Sequence, residues 1–155
     1  MNLAYRFSYD EFTFLAAAFS LKVLPPWLKT EHKHRKPEQV LSSLEKKDFV
    51  ICVEDTYLPA PLIGFLFDKM TEADVLLVLE EYAFCYVCKS VTVMLENMQG
   101  ERMLRLYPFE DAEEAVAYWN DCDYAQVKRE ILPLRETPEA EAAVRRLKQL
   151  WEAMN

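Results

Sequence analysis

Only two glycines, Gly64 and Gly100, occur in this chain of 155 residues. Average usage of about 7% would supply roughly ten. Phosphate-binding loops and dinucleotide-binding turns depend on glycine, because it permits left-handed backbone and close approach to a ligand. The sequence contains no GxGxxG, no GxxxxGK[ST] and no GxSxG motif. It therefore argues against most nucleotide-binding and hydrolase architectures.

The composition favours one acidic globular domain. Apolar residues make up 52% of the chain and its net charge is −8. The charge is uneven, since residues 1–50 carry 8 Lys/Arg against 6 Asp/Glu and residues 51–155 carry 10 against 20. An acidic surface repels phosphate backbones, which argues against a nucleic-acid partner. With neither a signal-peptide pattern nor an apolar run long enough for a membrane span, we expect a cytoplasmic protein with reduced cysteines.

Apolar spacing predicts helices in the N-terminal half. Ser8 and Glu11 have the spacing of a capping box ahead of a helix that must end before Pro25. Two further helices are predicted, one opening at Pro37 and one after Pro59. Between them, 49–53 and 57–58 indicate a short strand pair. A helix, a strand pair and another helix together predict a winged-helix-like unit.

A period of two from Val75 to Tyr107 predicts an antiparallel sheet of three to four strands. The predicted strands are 75–81, 83–95 and 101–107, with a weaker one at 2–7. Gln99-Gly100 marks the turn between the last two. The middle strand is apolar on both faces, so we expect helices to cover one face and a partner to cover the other.

C-terminal helices complete an α+β fold. One begins near Phe109, a short one is predicted at Tyr124–Leu132, and Thr137-Pro138 starts the last. The predicted organisation is a single domain over 1–132, with 133–155 as a helix that packs on it or extends from it.

Cysteine and histidine positions give little support for metal or redox chemistry. Cys85 and Cys88 form a CxxC pattern, but within a strand the two thiols point to opposite faces, which favours structural cysteines. The only histidines, His32 and His34, lie in a basic stretch interpreted as a solvated loop. We expect no catalytic residues, no metal and no cofactor.

Two sets of side chains are candidates for partner binding. Tyr82, Phe84 and Tyr86 share a sheet face, which is either core beneath helices or an exposed aromatic platform, and Met94 is a further apolar anchor. Glu113 and Glu114 begin a helix, where they complement its dipole or face a basic partner.

The order of segments resembles the EspG-like chaperones of type VII secretion. The likeness spans residues 8–120 and is carried by three stretches. These are 11–28, a helix running into Leu24-Pro25-Pro26-Trp27-Leu28; 40–70, a helix, wing and helix; and 85–119, strands with a closing helix. Family members are nearly twice as long and contain two similar halves.

The resemblance implies a cytoplasmic, non-enzymatic chaperone or adaptor that binds a secreted helical client through its sheet face and edge. The missing half suggests the hypothesis that two copies pair through the sheet. An immunity protein that neutralises a toxin domain is the alternative, because acidic α+β domains capture basic toxins by electrostatic steering. A winged-helix regulator is less favoured, since the helix at 61–70 carries only Lys69 as a basic residue.

Overall fold

A six-stranded antiparallel sheet forms the centre of the protein, in the order β1-β7-β6-β5-β4-β8. The computed structural model describes residues 4–29, 35–121 and 127–154. The sheet strands are β1 (Tyr5–Ser8), β4 (Val75–Leu79), β5 (Ala83–Val87), β6 (Thr92–Met98), β7 (Met103–Phe109) and β8 (Arg129–Pro133). A separate hairpin pairs β2 (Val50–Val53) with β3 (Thr56–Pro59). The fold is α+β.

Five α-helices accompany the strands in the described part of the chain. They are α1 (Tyr9–Ala18), α2 (Pro37–Lys46), α3 (Pro61–Thr71), α4 (Ala112–Asp121) and α5 (Pro138–Met154). Short 3-10 turns lie at Pro26–Lys29 and Gln99–Glu101. The hairpin follows α2 and precedes α3, which is the predicted chain order.

Helices cover both faces of the sheet. On one face, Phe84, Tyr86 and Leu95 pack with apolar residues of α1, α2 and α3. On the other, Val75, Leu77, Cys85 and Met94 pack with α4 and α5, whose Trp119 and Trp151 rings lie 5.4 Å apart. The central strands are apolar on both faces because each face lies against a helical layer.

The sheet is wider than the predicted three to four strands. The predicted strand at 83–95 is in fact two strands, β5 and β6, separated by an exposed turn at Lys89-Ser90. The Cys88 N–H closes this turn by donating to the Val91 carbonyl at 3.0 Å. This turn changes which residues face which helical layer. Cys85 and Val87 face α4 and α5, whereas Val93 and Leu95 face the other layer, although all four are odd-numbered.

The prediction of a short helix at Tyr124–Leu132 is wrong for residues 127–132, which are the part of this range that the structure describes. Residues 129–133 form β8, which pairs antiparallel with β4 along its whole length. Ile131 packs into the cluster beneath α5. The unpaired edge of β4 offers backbone hydrogen bonds and a place to bury Ile131, and these outweigh local helix propensity.

The start of α1 confirms the predicted capping box. The Glu11 N–H donates to Ser8 Oγ at 3.3 Å, and the Ser8 N–H donates to Glu11 Oε1 at 2.7 Å. At its end, Ser20 takes the left-handed conformation with φ 59°, and the Leu21 N–H donates to the Ala16 carbonyl at 2.8 Å. Glycine is the usual residue at such a helix end.

Two buried carboxylates of α1 connect this helix to α2 and to the segment that precedes α2. Asp10 accepts from Arg35 Nε at 2.7 Å and from Arg35 Nη2 at 2.9 Å. Glu11 accepts from Lys47 Nζ and Ser43 Oγ, both at 2.6 Å. Hydrogen bonds from Arg35 hold the pKa of Asp10 well below its usual value. Burial acts to raise the pKa of Glu11, but the hydrogen bonds from Lys47 and Ser43 outweigh it and the pKa is lowered.

Replacing Glu11 with Gln tests how much this buried carboxylate contributes to stability. Because the folded-state pKa of Glu11 is depressed, its contribution to stability is present above its unfolded pKa of about 4.3 and is lost as pH falls further. We expect E11Q to lower the free energy of unfolding at pH 7 by about 1.5–3 kcal/mol, as for hydrogen bonds to charged groups. Its stability should also fall less than that of the wild type below about pH 5. Urea unfolding between neutral and acid pH measures both effects.

The matched control is Glu101→Gln, which removes an exposed ion pair with Arg6 at 3.4 Å. Such surface pairs contribute about 0–1 kcal/mol. Equal losses in E11Q and E101Q would contradict a special role for the buried pair.

Trp119 is the test of the α4–α5 layer. Its side chain is 1% exposed and its Nε1–H donates to Met94 Sδ at 3.1 Å. We expect Trp119→Ala to destabilise the fold by about 3–5 kcal/mol, the usual cost of emptying such a site. Leu132→Ala on β8, where the side chain is 39% exposed, should cost less than about 1 kcal/mol. A small loss for W119A by urea unfolding would show that the layer is not tightly packed.

Candidate functional site

The aromatic side chains expected to bind a partner belong to the core. Phe84 and Tyr86 are buried beneath the layer formed by α1, α2 and α3, and the Tyr86 hydroxyl donates to the Val23 carbonyl at 2.7 Å. Tyr82 is half-buried in the turn before β5. Of the two interpretations of this row, the structure shows the core beneath helices and not an exposed platform.

Met94 lies on the opposite face of the sheet from Phe84 and Tyr86, under Trp119 of α4. The four proposed anchors therefore do not form one surface. The expectation that a partner covers one face of the sheet is not met in this conformation, because both faces are covered by the chain's own helices. Because both faces are covered, pairing of two copies through the sheet would have to use its edge strands, β1 and β8.

The two acidic residues proposed for partner binding lie in the first turn of α4. Glu114 Oε2 accepts from the Glu110 N–H at 3.1 Å, a contact that caps the helix start. Glu113 is exposed and lies 3.8 Å from Arg146 of α5. Glu114 thus has a local structural role, whereas Glu113 remains accessible at the surface.

The CxxC pair is divided between the two sides of the sheet, as predicted. Cys85 is buried among the residues under α4 and α5, and Cys88 packs against the other cluster. Burial raises the pKa of the Cys85 thiol far above its usual value and that of Cys88 to about 12. Cys88 Sγ–H donates to the Lys69 carbonyl at 2.8 Å. Neither thiol has the lowered pKa that redox chemistry requires.

Within residues 4–29, 35–121 and 127–154, no group of three or more His, Cys, Asp or Glu side chains is arranged to hold a metal ion. His32, His34 and Cys122 lie outside the described residues. One surface cavity of about 420 Å³ is lined by Arg35, Gln39, Ser43 and neighbouring residues. Arg35 in this cavity is bound to Asp10, and Ser43 donates to Glu11.

The exposed apolar surface of the protein is concentrated on the β2–β3 hairpin and the start of α3. Among the described residues, six of the eight large exposed apolar side chains lie between positions 51 and 65. We call these six the hairpin surface: Ile51, Val53, Tyr57, Leu58, Leu62 and Phe65, which are 41–54% exposed. Ile51, Val53 and Leu58 share one face of the hairpin, whereas Tyr57 lies on its other face. Clustered exposure of this kind marks interaction sites more often than scattered apolar residues do.

The register of the hairpin leaves both strands with unpaired backbone groups. Ile51 lies opposite Leu58, and Cys52 lies opposite Tyr57. Beyond them, the Ala60 N–H donates to the Phe49 carbonyl at 2.8 Å. Because bonded and non-bonded pairs alternate in an antiparallel ladder, Cys52 and Tyr57 direct their N–H and C=O groups outward. In the part of the chain that the structure describes, no third strand joins this hairpin.

Carboxylates lie at the tip of the exposed hairpin and beside Tyr57. Partial desolvation raises the pKa of Tyr57, and the nearby Cys52 and the carboxylates of Glu45 and Asp55 raise it further. Glu54 and Asp55 form the tip of the hairpin. The site therefore combines an apolar centre with an acidic border.

Sequence reasoning assigned these residues to a strand pair and a helix without recognising the surface they form. A signal was present, since Phe49–Val53 is an uninterrupted apolar run without a charged residue. Such a run is typical of a buried strand. Here only Val50 of β2 is buried, and the other three residues of the strand are exposed.

No family model, no curated protein and no solved structure matches this chain. None of the helices within the described residues is long and apolar enough to cross a membrane.

Differences in cysteine exposure provide a test of this geometry. Cys52 is exposed, whereas Cys85 is buried and Cys88 is half-buried. We expect iodoacetamide to modify Cys52 rapidly in the native protein and to leave Cys85 unmodified until the protein is unfolded in urea. Peptide mass spectrometry at successive times measures each site. Rapid modification of Cys85, or an oxidised Cys85–Cys88 pair, would contradict the division of the two thiols across the sheet.

Proposed function

We propose that this chain is a non-enzymatic chaperone or adaptor that acts in the cytoplasm on a secreted helical client of a type VII-like secretion system. The observation that carries the proposal is the hairpin surface, where most of the large exposed apolar side chains are gathered. An apolar area of this kind fits the anchoring of another polypeptide.

The binding mode differs from the one expected from the sequence, because both sheet faces are covered. We place the client on the hairpin surface, where an apolar helix face can lie against Ile51, Val53 and Leu58, which share one face of the hairpin. The helix, hairpin and helix at 37–71 then serve as a winged-helix-like unit whose wing contacts protein. The EspG-like resemblance of residues 8–120 supports the same class of function.

An immunity protein that neutralises a toxin domain is the second candidate. It is favoured by the net charge of −8, since an acidic inhibitor captures a basic enzyme at an electrostatically increased rate. The two functions differ in the part of the partner that is bound. A chaperone binds a helical targeting region, whereas an immunity protein binds a catalytic domain.

The variant Ile51→Ser/Leu58→Ser tests the proposal. Both side chains are exposed and lie opposite one another on the hairpin, so the change should leave the melting temperature within a few degrees. We expect tagged wild-type protein to capture a helical secreted protein from its own cells. The double variant should bind that protein at least about tenfold more weakly, since loss of an apolar anchor typically costs more than about 1 kcal/mol of binding free energy. Quantitative mass spectrometry of the captured proteins measures the loss.

Leu132→Ser is the matched control, because Leu132 is exposed on β8 outside the hairpin surface. It should capture the same protein as the wild type. Capture of a toxin's catalytic domain would support the immunity function instead. Equal capture by I51S/L58S and wild type would show that the hairpin surface is not the binding site.

A further inference from the structure

The apolar centre of the hairpin surface does not by itself define its occupant, but the charges around it do. Glu54 and Asp55 at the hairpin tip and Glu45 near Tyr57 form no ion pair with any described residue. An occupant with carboxylates of its own would meet unneutralised like charge at this border. Electrostatic complementarity therefore favours a basic occupant.

The neighbouring cations do not cancel this charge. Lys47 Nζ is bound to Glu11 at 2.6 Å, and Lys69 Nζ lies 3.3 Å from Glu72. Within residues 45–68, Lys46 is the one cation that forms no ion pair with a described residue. The negative border is thus a property of the folded surface and not only of the sequence.

The turn at the tip of the hairpin has an unusual composition for its backbone. Glu54 and Asp55 both have positive φ, at 49° and 64°, in the two-residue connection between Val53 and Thr56. Asn-Gly is the residue pair that such a turn favours, because Asn and Gly adopt left-handed backbone at lower cost than other residues. Asp55 is tolerated at such a position, but Glu54 is not favoured there, so the turn carries a second carboxylate where local stability would select Asn or Gly.

We propose that the hairpin surface binds a cationic amphipathic helix of a client protein. The apolar face of that helix covers Ile51, Val53 and Leu58, and its Lys or Arg side chains reach Glu54 and Asp55. This inference depends on the proposed function, because it names the chemistry of the client at the same surface. The apolar contact supplies most of the affinity, and the carboxylates select basic helices and orient them.

Two labelled peptides serve as probes. One is an amphipathic helix of about five turns made of Leu and Lys, and the other has the same Leu positions with Glu in place of Lys. We expect the wild type to bind the Leu/Lys helix at least about tenfold more tightly than the Leu/Glu helix. This preference should shrink as salt rises above about 0.15 M, where exposed charges are screened. Fluorescence anisotropy measures both dissociation constants.

The variant Glu54→Asn/Asp55→Gly separates binding from stability. It removes the charge at the tip and gives the turn its favoured residues, so the melting temperature should rise by a few degrees. Its affinity for the Leu/Lys helix should nevertheless fall about fivefold to tenfold. A turn with a purely structural role would gain stability and keep the same affinity, and that result would overturn the inference.

Glu130→Gln/Glu136→Gln is the matched control for net charge. Both side chains are exposed and lie outside the hairpin surface. This variant loses the same two charges, so it should keep the affinity of the wild type within about twofold if the contact is local. An equal loss in E130Q/E136Q and E54N/D55G would mean that overall acidity attracts the peptide, and would overturn the inference.

The variant I51S/L58S distinguishes failure of the inference from failure of the proposed function. If both peptides bind the wild type equally and both lose affinity for I51S/L58S, the surface binds helices without selecting basic ones, and only the inference fails. If neither peptide binds, or binding survives in I51S/L58S, the proposed function fails with it. Self-association of the wild type that I51S/L58S abolishes, seen by sedimentation velocity, would assign the surface to a second copy and overturn the inference.

Discussion

Burial of both faces of the central strands is the constraint on which the other parts of the structure depend. Phe84 and Tyr86 require cover on one side and Cys85 and Met94 on the other. All five helices of the described chain supply that cover. The β2–β3 hairpin is left without a covering layer of its own. A pair of strands gains little stability alone, and most of the exposed apolar area of the described residues lies on this hairpin and the start of α3.

The scarcity of glycine determines how the chain turns. Neither Gly64 nor Gly100 adopts positive φ, whereas six other residues of the described ranges do so, including Ser20 and the tip pair Glu54-Asp55. Asp and Asn adopt this backbone more readily than most residues, whereas Glu and Arg have no such advantage. The chain therefore accepts some backbone strain in order to place polar and charged side chains at its turns. At the hairpin tip, the result is a pair of exposed carboxylates, Glu54 and Asp55.

Local signals predicted much of the fold, and the tertiary assignments were less accurate. The capping box at Ser8–Glu11 and the proline-opened helices depend on contacts within one turn, so they can be recognised in the sequence. Residues 129–133 form a strand only because β4 offers an edge, which no local pattern reports. Apolar residues at every second position of a strand also show only that a sheet face is covered. They do not show whether a partner or the chain's own helices cover it. Tyr82, Phe84 and Tyr86 therefore suggest a binding site on a sheet face, whereas the exposed apolar area lies on the hairpin.

The acidic border of the hairpin also bears on self-association. An uncharged strand with unpaired edge groups, such as Val50–Val53, invites pairing with another copy. In a pairing of two hairpins side by side and in the same direction, the carboxylates of Glu54 and Asp55 would meet their own equivalents, and this repulsion disfavours it. A basic helix experiences the opposite effect at the same positions. The same two side chains thus disfavour pairing of copies and, in the proposed complex, favour a basic helix, which apolar contacts alone cannot do.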